Sequence, residues 1–361
     1  MIAGGGTAGH VVPALAIADV LSARGHEVRF SGTGRGMERE LVPRAGYAFS
    51  QVRIRGFTRS LGLSTLRTIG SLPVAGFDAW RLLGDFRPRC VVGVGAYASG
   101  PVVAEAAVRG TPAVAVEMDS HMGWTNRILS HLVDRVCLSF PDPGREGDKF
   151  VYTGRPLRPS LLEASREQGF ARFGLDPNRQ VLLVFGGSLG ARSLNEAAVQ
   201  AFAQTETPFQ VLHVTGERDY PDIAQRLIAP AANRSYQAFP FLGDFPLALA
   251  AADAAVSRAG GSVAELLARG VPALLVPYPL AAGDHQTKNA RSVVAAGAAR
   301  MIADADLTSA RLAEEVRTLL DPGANLAMKE AAFKLARPDA ANRIADVIVE
   351  LASAKTGRRD D

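Results

Sequence analysis

Short apolar runs alternate with amphipathic stretches along the whole chain. Runs such as Glu27–Ser31, Cys90–Val94, Ala113–Glu117 and Arg135–Ser139 are rich in valine and stop at polar or glycine-containing turns. Between them lie segments with helical periodicity, the first from Pro13 to Arg24 and closed by Gly25. Strands alternating with helices predict parallel sheets wrapped by helices. The alternation is interrupted at Thr153-Gly154-Arg155-Pro156-Leu157-Arg158-Pro159, whose glycine and paired prolines suit a hinge. It then restarts with a strand at Val181–Phe185, a glycine turn, and a helix from about Arg192. Further strands are predicted at Gln210–Thr215, Ala254–Ser257, Ala273–Val276 and Arg300–Ala303. Asp339 is placed to cap a last helix through Leu351, with residues 356–361 fraying. The fold class is therefore α/β, with doubly wound Rossmann-like domains at 1–157 and 158–337 and a C-terminal helix and tail at 338–361. Such sheets bind ligands at the carboxyl ends of their strands. Two of them facing across a cleft, each with a glycine loop, favour a two-substrate enzyme over a binding module.

The first glycine loop is Gly4-Gly5-Gly6-Thr7-Ala8-Gly9-His10, directly after the short run Met1-Ile2-Ala3. Glycines admit close backbone approach, and a helix N-terminus presents unpaired N–H groups to an anion. The loop therefore reads as a phosphate seat with an imidazole beside it. Gly4, Gly6 and Gly9 also fit the dinucleotide fingerprint, which needs an acid at the tip of the second strand to hold a ribose. That strand runs instead into Gly32-Thr33-Gly34, and no lysine follows the glycines as a Walker loop requires. Nicotinamide, flavin and NTPase readings are accordingly disfavoured.

At 361 residues, with 47% hydrophobic and 21% charged, the chain has the composition of a globular protein with room for two cores. Cys90 and Cys137 lie within apparent strands and read as core, and the six histidines show no metal-type spacing. No leader-like or membrane-spanning run stands out, so a cytosolic protein is expected. Net charge is +4. Arg53, Arg55, Arg59, Arg67, Arg81, Arg87 and Arg89 cluster among Phe57, Leu61, Leu66, Ile69, Phe77, Trp80 and Phe86. Either this is a surface that dips into anionic headgroups, or it is an amphipathic helix with a solvated face. No nucleic-acid recognition motif accompanies the charge, so no nucleic-acid partner is expected.

Four motifs occur in order: Gly5–His10, Gly93-Val94-Gly95-Ala96-Tyr97-Ala98-Ser99-Gly100-Pro101, Gly186-Gly187-Ser188-Leu189-Gly190-Ala191 and Asp284-His285-Gln286-Thr287-Lys288-Asn289-Ala290. Together they resemble the MurG family of bacterial peptidoglycan glycosyltransferases across nearly the whole chain. The resemblance implies a GT-B fold at the cytoplasmic face of the membrane, bound peripherally to an anionic surface. It implies inverting transfer of N-acetylglucosamine from UDP-N-acetylglucosamine to the C4 hydroxyl of muramyl-pentapeptide pyrophosphoryl-undecaprenol (lipid I), giving lipid II, with no cofactor and no bound metal.

The resemblance also implies roles. Ser188 meets the donor diphosphate and Arg158 the leaving UDP. Gly261, Ser262, Val263, Ala264 and Glu265 hold the nucleoside, Glu265 on the ribose, where a carboxylate accepts from vicinal hydroxyls. Leu242 lies along the uracil and Gln286 reads sugar hydroxyls. His10, beside Thr7, Ala8 and Gly9, is a candidate general base, as is Glu117, with Asp119 near the acceptor sugar and Tyr97 and Ser99 lining an acceptor loop. Plainer roles stand beside these: Ser188 and His10 as helix-start residues, Glu265 as a first-turn dipole partner, Leu242 as core.

The chain departs from the pattern in places. Val116-Glu117-Met118-Asp119 stands where family members usually have His-Glu-Gln-Asn, so an acceptor-only carboxylate replaces an amide at 119. The Arg258–Glu265 segment is one residue shorter than usual, and Met1-Ile2-Ala3 is short for a first strand. Asp304-Ala305-Asp306 reads as capping a helix near Thr308, not as a metal site. Alternatives are another GT-B transferase with a lipid or aglycone acceptor, or a non-catalytic UDP-sugar-binding protein.

Overall fold

In the computed structural model, residues 1–54, 63–95, 97–142, 144–145, 147–187, 191–228 and 233–354 are described, without the side chains at 8, 63–69 and 282. The chain divides into two compact units, residues 1–158 with the chain's end from Pro338, and Pro159–Arg337. The first unit holds β1 (Ile2–Ala3), β2 (Arg29–Gly32), β3 (Ala48–Gln51), β4 (Val91–Gly93), β5 (Ala113–Glu117), β6 (Arg135–Leu138) and β7 (Phe150–Tyr152). The second holds β8 (Val181–Phe185), β9 (Gln210–Val214), β10 (Tyr236–Phe239), β11 (Ala254–Ser257), β12 (Ala273–Leu275) and β13 (Ala299–Met301).

Both sheets are parallel, in the orders β3-β2-β1-β4-β5-β6-β7 and β10-β9-β8-β11-β12-β13. Each order reverses at its first strand, so β1/β4 and β8/β11 are the switch points where a crevice opens at the carboxyl ends. Helices cover both faces, which is why β5 and β8 are buried at every position and read as unbroken apolar runs. Ile17, Val92 and Val114 form one core, joined by Ile344, Ala345 and Ile348 of the helix Ala340–Ala354. That helix belongs to the first unit, where Asp346 pairs with Arg24 at 2.6 Å. Leu182, Val184, Leu194, Leu312 and Val316 form a core of the second unit. Cys90 and Cys137 are buried and form no disulfide. Among the described residues, no helix is long and apolar enough to cross a membrane.

Two local expectations are corrected. The first helix begins at Ala8, not Pro13, and carries Pro13 inside it. Proline has no N–H to give the carbonyl four residues back. Here that carbonyl is Gly9 O, and the Arg155 Nη2 donates to it at 2.5 Å. The second correction concerns Asp304, which caps nothing. Thr308 caps the helix Ser309–Leu320 through its side chain, while Asp304 accepts from Arg258 at 2.5 Å and from Ser193 at 2.6 Å.

Candidate active site

In the first unit, three strand ends converge. The loop after β1 carries Thr7 and Gly9 to the surface and leaves His10 half-buried in the first turn of the helix. Thr7 does not cap with its side chain; its Oγ1 lies 3.2 Å from His10 Nδ1. The other edge of the ring rests on the loop after β4. Gly95 has φ +84°, and a Cβ there would stand 2.9 Å from His10 Cδ2 and 3.2 Å from Nε2. Gly95 therefore serves as the floor of the imidazole.

Glu117 ends β5 and is 6% exposed. Its carboxylate accepts from the N–H groups of Asp119 and Gly123 and from Asn126 Nδ2, each at 3.0 Å. Burial pushes its carboxyl above the usual carboxylate range, against the pull of these donors. Asn126 also donates to Val116 O, and the same amide lies close to the Gly95 loop. His10, Gly95, Asn126 and Glu117 thus form one contiguous group. Arg155 ties its two halves together, donating to Gly9 O and, at 2.7 Å, to Met118 O. Asp119 is half-buried beside Glu117, Tyr97 is half-buried, and Ser99 is buried behind Gly93. Arg158 directs its guanidinium to Asp19 at 3.1 Å.

The sequence reading missed Glu38. Its carboxylate, on a residue 1% exposed, accepts from Gly6 N–H (2.7 Å), Thr33 N–H (3.1 Å) and Thr33 Oγ1 (2.7 Å). The Gly6 N–H of the first glycine loop is therefore engaged by the chain's own anion. Burial works against the charge, yet these hydrogen bonds outweigh it and hold the carboxyl below its ordinary range. A faint signal existed in the sequence: a second glycine cluster, Gly32-Thr33-Gly34-Arg35-Gly36, just before an acid.

In the second unit the sites again gather at carboxyl ends. Gly187, with φ +89°, follows β8. Ser188 lies outside the described residues, as do Leu189 and Gly190. Gly261, Ser262, Ala264 and Glu265 are half-buried and Val263 is buried, around the start of the helix Ser262–Arg269 after β11. Gln286 accepts from Tyr278 N–H at 2.8 Å, and its amide nitrogen lies beside Gly260. Leu242 is buried in the loop after β10, next to an exposed Phe241. Arg258, 8% exposed, locks this end by donating to Val276 O, Asp304 and Ser193. His213 sits between Tyr236 OH (2.6 Å) and Asn195 Oδ1 (3.0 Å), and burial pushes its pKa down to about 3, so it is a neutral core imidazole.

Comparison with known proteins adds identity to this geometry. The family model for the glycosyltransferase family 28 N-terminal domain matches residues 1–138, and that for the C-terminal domain matches residues 181–344. A UDP-N-acetylglucosamine--N-acetylmuramyl-(pentapeptide) pyrophosphoryl-undecaprenol N-acetylglucosamine transferase from Moorella thermoacetica is 41% identical, covering 97% of this chain and 98% of its own. The protein of the same name from Lactiplantibacillus plantarum is 39% identical, covering 96% and 98%. Among solved structures, MurG from Acinetobacter baumannii superposes with a TM-score of 0.77 at 30% identity, covering 97% and 98%.

Proposed function

The chain belongs to the MurG family within glycosyltransferase family 28, and from that membership we propose how its residues carry the family's reaction. It moves N-acetylglucosamine from UDP-N-acetylglucosamine to muramyl-pentapeptide pyrophosphoryl-undecaprenol. The acceptor's C4 oxygen attacks the anomeric carbon while the bond from that carbon to the UDP oxygen breaks, with inversion. The hydroxyl proton passes to His10 Nε2. Neutral imidazole suits this task near pH 7. Thr7 at Nδ1 and Gly95 beneath the ring fix its aim.

The single observation that supports this reading most is the joining of His10 to Glu117 through Gly95 and Asn126. Glu117, held by three donors, orients the acceptor hydroxyls or takes the proton if imidazole does not. In the second unit, Ser188 and the N–H groups of its loop meet the donor diphosphate as charge develops there. Glu265 accepts from the ribose hydroxyls, Gly261 to Ala264 and Leu242 enclose the nucleoside, and Gln286 reads the sugar. Arg158 leaves Asp19 for the departing UDP. Its side chain is 42% exposed, so the exchange costs little.

The acceptor's polyprenyl tail requires a membrane surface, here the cytoplasmic face. The helix Leu63–Phe86 offers one, with Phe77 and Trp80 stacked at 5.8 Å and each 57% exposed. Part of the arginine charge beside it is met internally, since Arg53 pairs with Asp78 and Arg81 with Asp85. Arg55, Arg59, Phe57 and Leu61 lie outside the described residues, and nothing is described of the Arg67, Leu66 and Ile69 side chains.

Incubating the protein with labelled UDP-N-acetylglucosamine and a lipid I analogue in vesicles tests the reading. Label should move to the lipid, and His10→Ala should lower turnover by about 100-fold. Donor binding without transfer would leave a UDP-sugar-binding protein instead.

A further inference from the structure

We propose that Glu38 is a positioning residue for His10: an internal carboxylate that pins the first glycine loop at Gly6 and makes it a rigid mount for the imidazole. The inference rests on the function proposed above, and its geometry stands on its own. Three features carry it.

The first is satisfaction. The two carboxylate oxygens answer two different segments, one the loop after β1 through Gly6, the other the loop after β2 through Thr33. All three contacts arrive as donors, so only a group that accepts at both ends fits. An amide would turn its NH2 toward one of them.

The second is packing. A Cβ at Gly5 would lie 2.4 Å from Glu38 Cδ, at Gly36 2.2 Å from Oε2, and at Gly32 2.8 Å from Cγ. Gly36 also sits directly on Gly6, where its Cβ would be 2.6 Å from the Gly6 Cα, and Met37 N–H donates to Gly6 O at 3.2 Å. The glycines are there for the carboxylate. A chain with so many glycines is floppy unless pinned, and Glu38 pins it.

The third is connectivity. Gly6 is followed at once by Thr7, whose carbonyl starts the helix by accepting from His10 and Val11, and whose hydroxyl touches the imidazole. Displacing Gly6 displaces Thr7, and with it the ring. The same occupancy gives a specificity consequence. The N–H that faces a phosphate in dinucleotide loops faces a fixed negative charge here. That one donor is therefore committed to Glu38 and is not offered to a bound phosphate.

The test uses the full chain as Glu38→Gln, Glu38→Ala and the milder Thr33→Val. Steady-state transfer is expected to show kcat down by 10- to 100-fold in the Glu38 variants and by a few-fold in Thr33→Val. The KM for UDP-N-acetylglucosamine should stay within about twofold, because the residues given to the nucleoside and the sugar, Leu242, Gly261 to Glu265 and Gln286, belong to the other unit. Formate, small enough to enter the space left in Glu38→Ala, should restore at least tenfold of the lost kcat, while chloride at equal ionic strength should not. A separate readout needs no turnover: in 15N spectra of the imidazole, the His10 tautomer balance and pKa should shift in Glu38→Gln. Parental kcat in Glu38→Ala, loss without formate rescue, or an unmoved His10 resonance would each overturn the proposal. Should Glu38→Ala fail to fold, Thr33→Val and the His10 spectrum decide in its place. A parent chain that makes no product would sink the function and leave the spectral test of Glu38 standing.

Discussion

Gly95→Ala probes the floor under the imidazole. At φ +84° the backbone sits where alanine costs about 1–2 kcal/mol, part of it returned by the lower entropy of the unfolded chain. The new methyl would stand 2.9 Å from His10 Cδ2, while ordinary contact begins near 3.4 Å, so the ring must retreat by about half an ångström. A displacement of about 1 Å near the chemistry costs roughly 100-fold in rate, and half of that roughly tenfold. The expected result is kcat reduced by about 10-fold, with a urea midpoint shift worth about 1 kcal/mol. The assay is transfer to a lipid I analogue under saturating donor, together with urea unfolding. The decisive control is the double-mutant cycle with His10→Ala. If Gly95→Ala acts through the imidazole, it should have little further effect once the imidazole is gone. Full parental turnover in Gly95→Ala, or a full additional loss in the His10→Ala background, would refute the reasoning.

Other expectations follow from the same contacts. Asp304→Ala should cost about 3 kcal/mol by urea unfolding, because it strips the carboxylate from a buried Arg258 guanidinium. Glu38 is held below its ordinary pKa when folded, so its stabilisation is complete above the unfolded value of about 4.3 and lost as pH falls through the folded value. The stability gap between the parent and Glu38→Gln should thus be level from about pH 5 to 7 and shrink below about pH 4. Replacing Phe77 and Trp80 together by glutamate should weaken binding to anionic vesicles at least about tenfold in a flotation assay and leave the melting temperature near the parent's, as both rings are more than half exposed.

The central strands were legible because burial on both faces writes itself as an apolar run: Ala113–Glu117, Val181–Phe185 and Ala254–Ser257 match residue for residue. The strands that went unread are β3, β7 and β10, and all three are sheet edges. Apart from the buried Tyr236, their positions are half-buried or exposed, as in Ala48–Gln51, so no run or clean alternation marks them. The glycine loops were legible as loops, yet what fills the first one was not. Glu38 follows β2 after a further turn and reaches back to Gly6, a pairing 32 residues apart that no local pattern encodes. Arg155 illustrates the same limit. It lies within the hinge motif, where the glycine and prolines carried the reading, while its contacts are at Gly9 and Met118.

The proline inside the first helix has a consequence for how the protein folds. The carbonyl that Pro13 leaves unanswered is met by a guanidinium from 146 positions downstream, beyond every strand of that unit. Nearby chain supplies the bonds to Thr7 O, but the Gly9 carbonyl is answered only once this long-range contact closes, the slow kind of event in folding. Pulse-labelled amide exchange during refolding should therefore find the amides of His10 and Val11 protected late, after those of β4 and β5. The catalytic end of this unit would then be the last part of it to set.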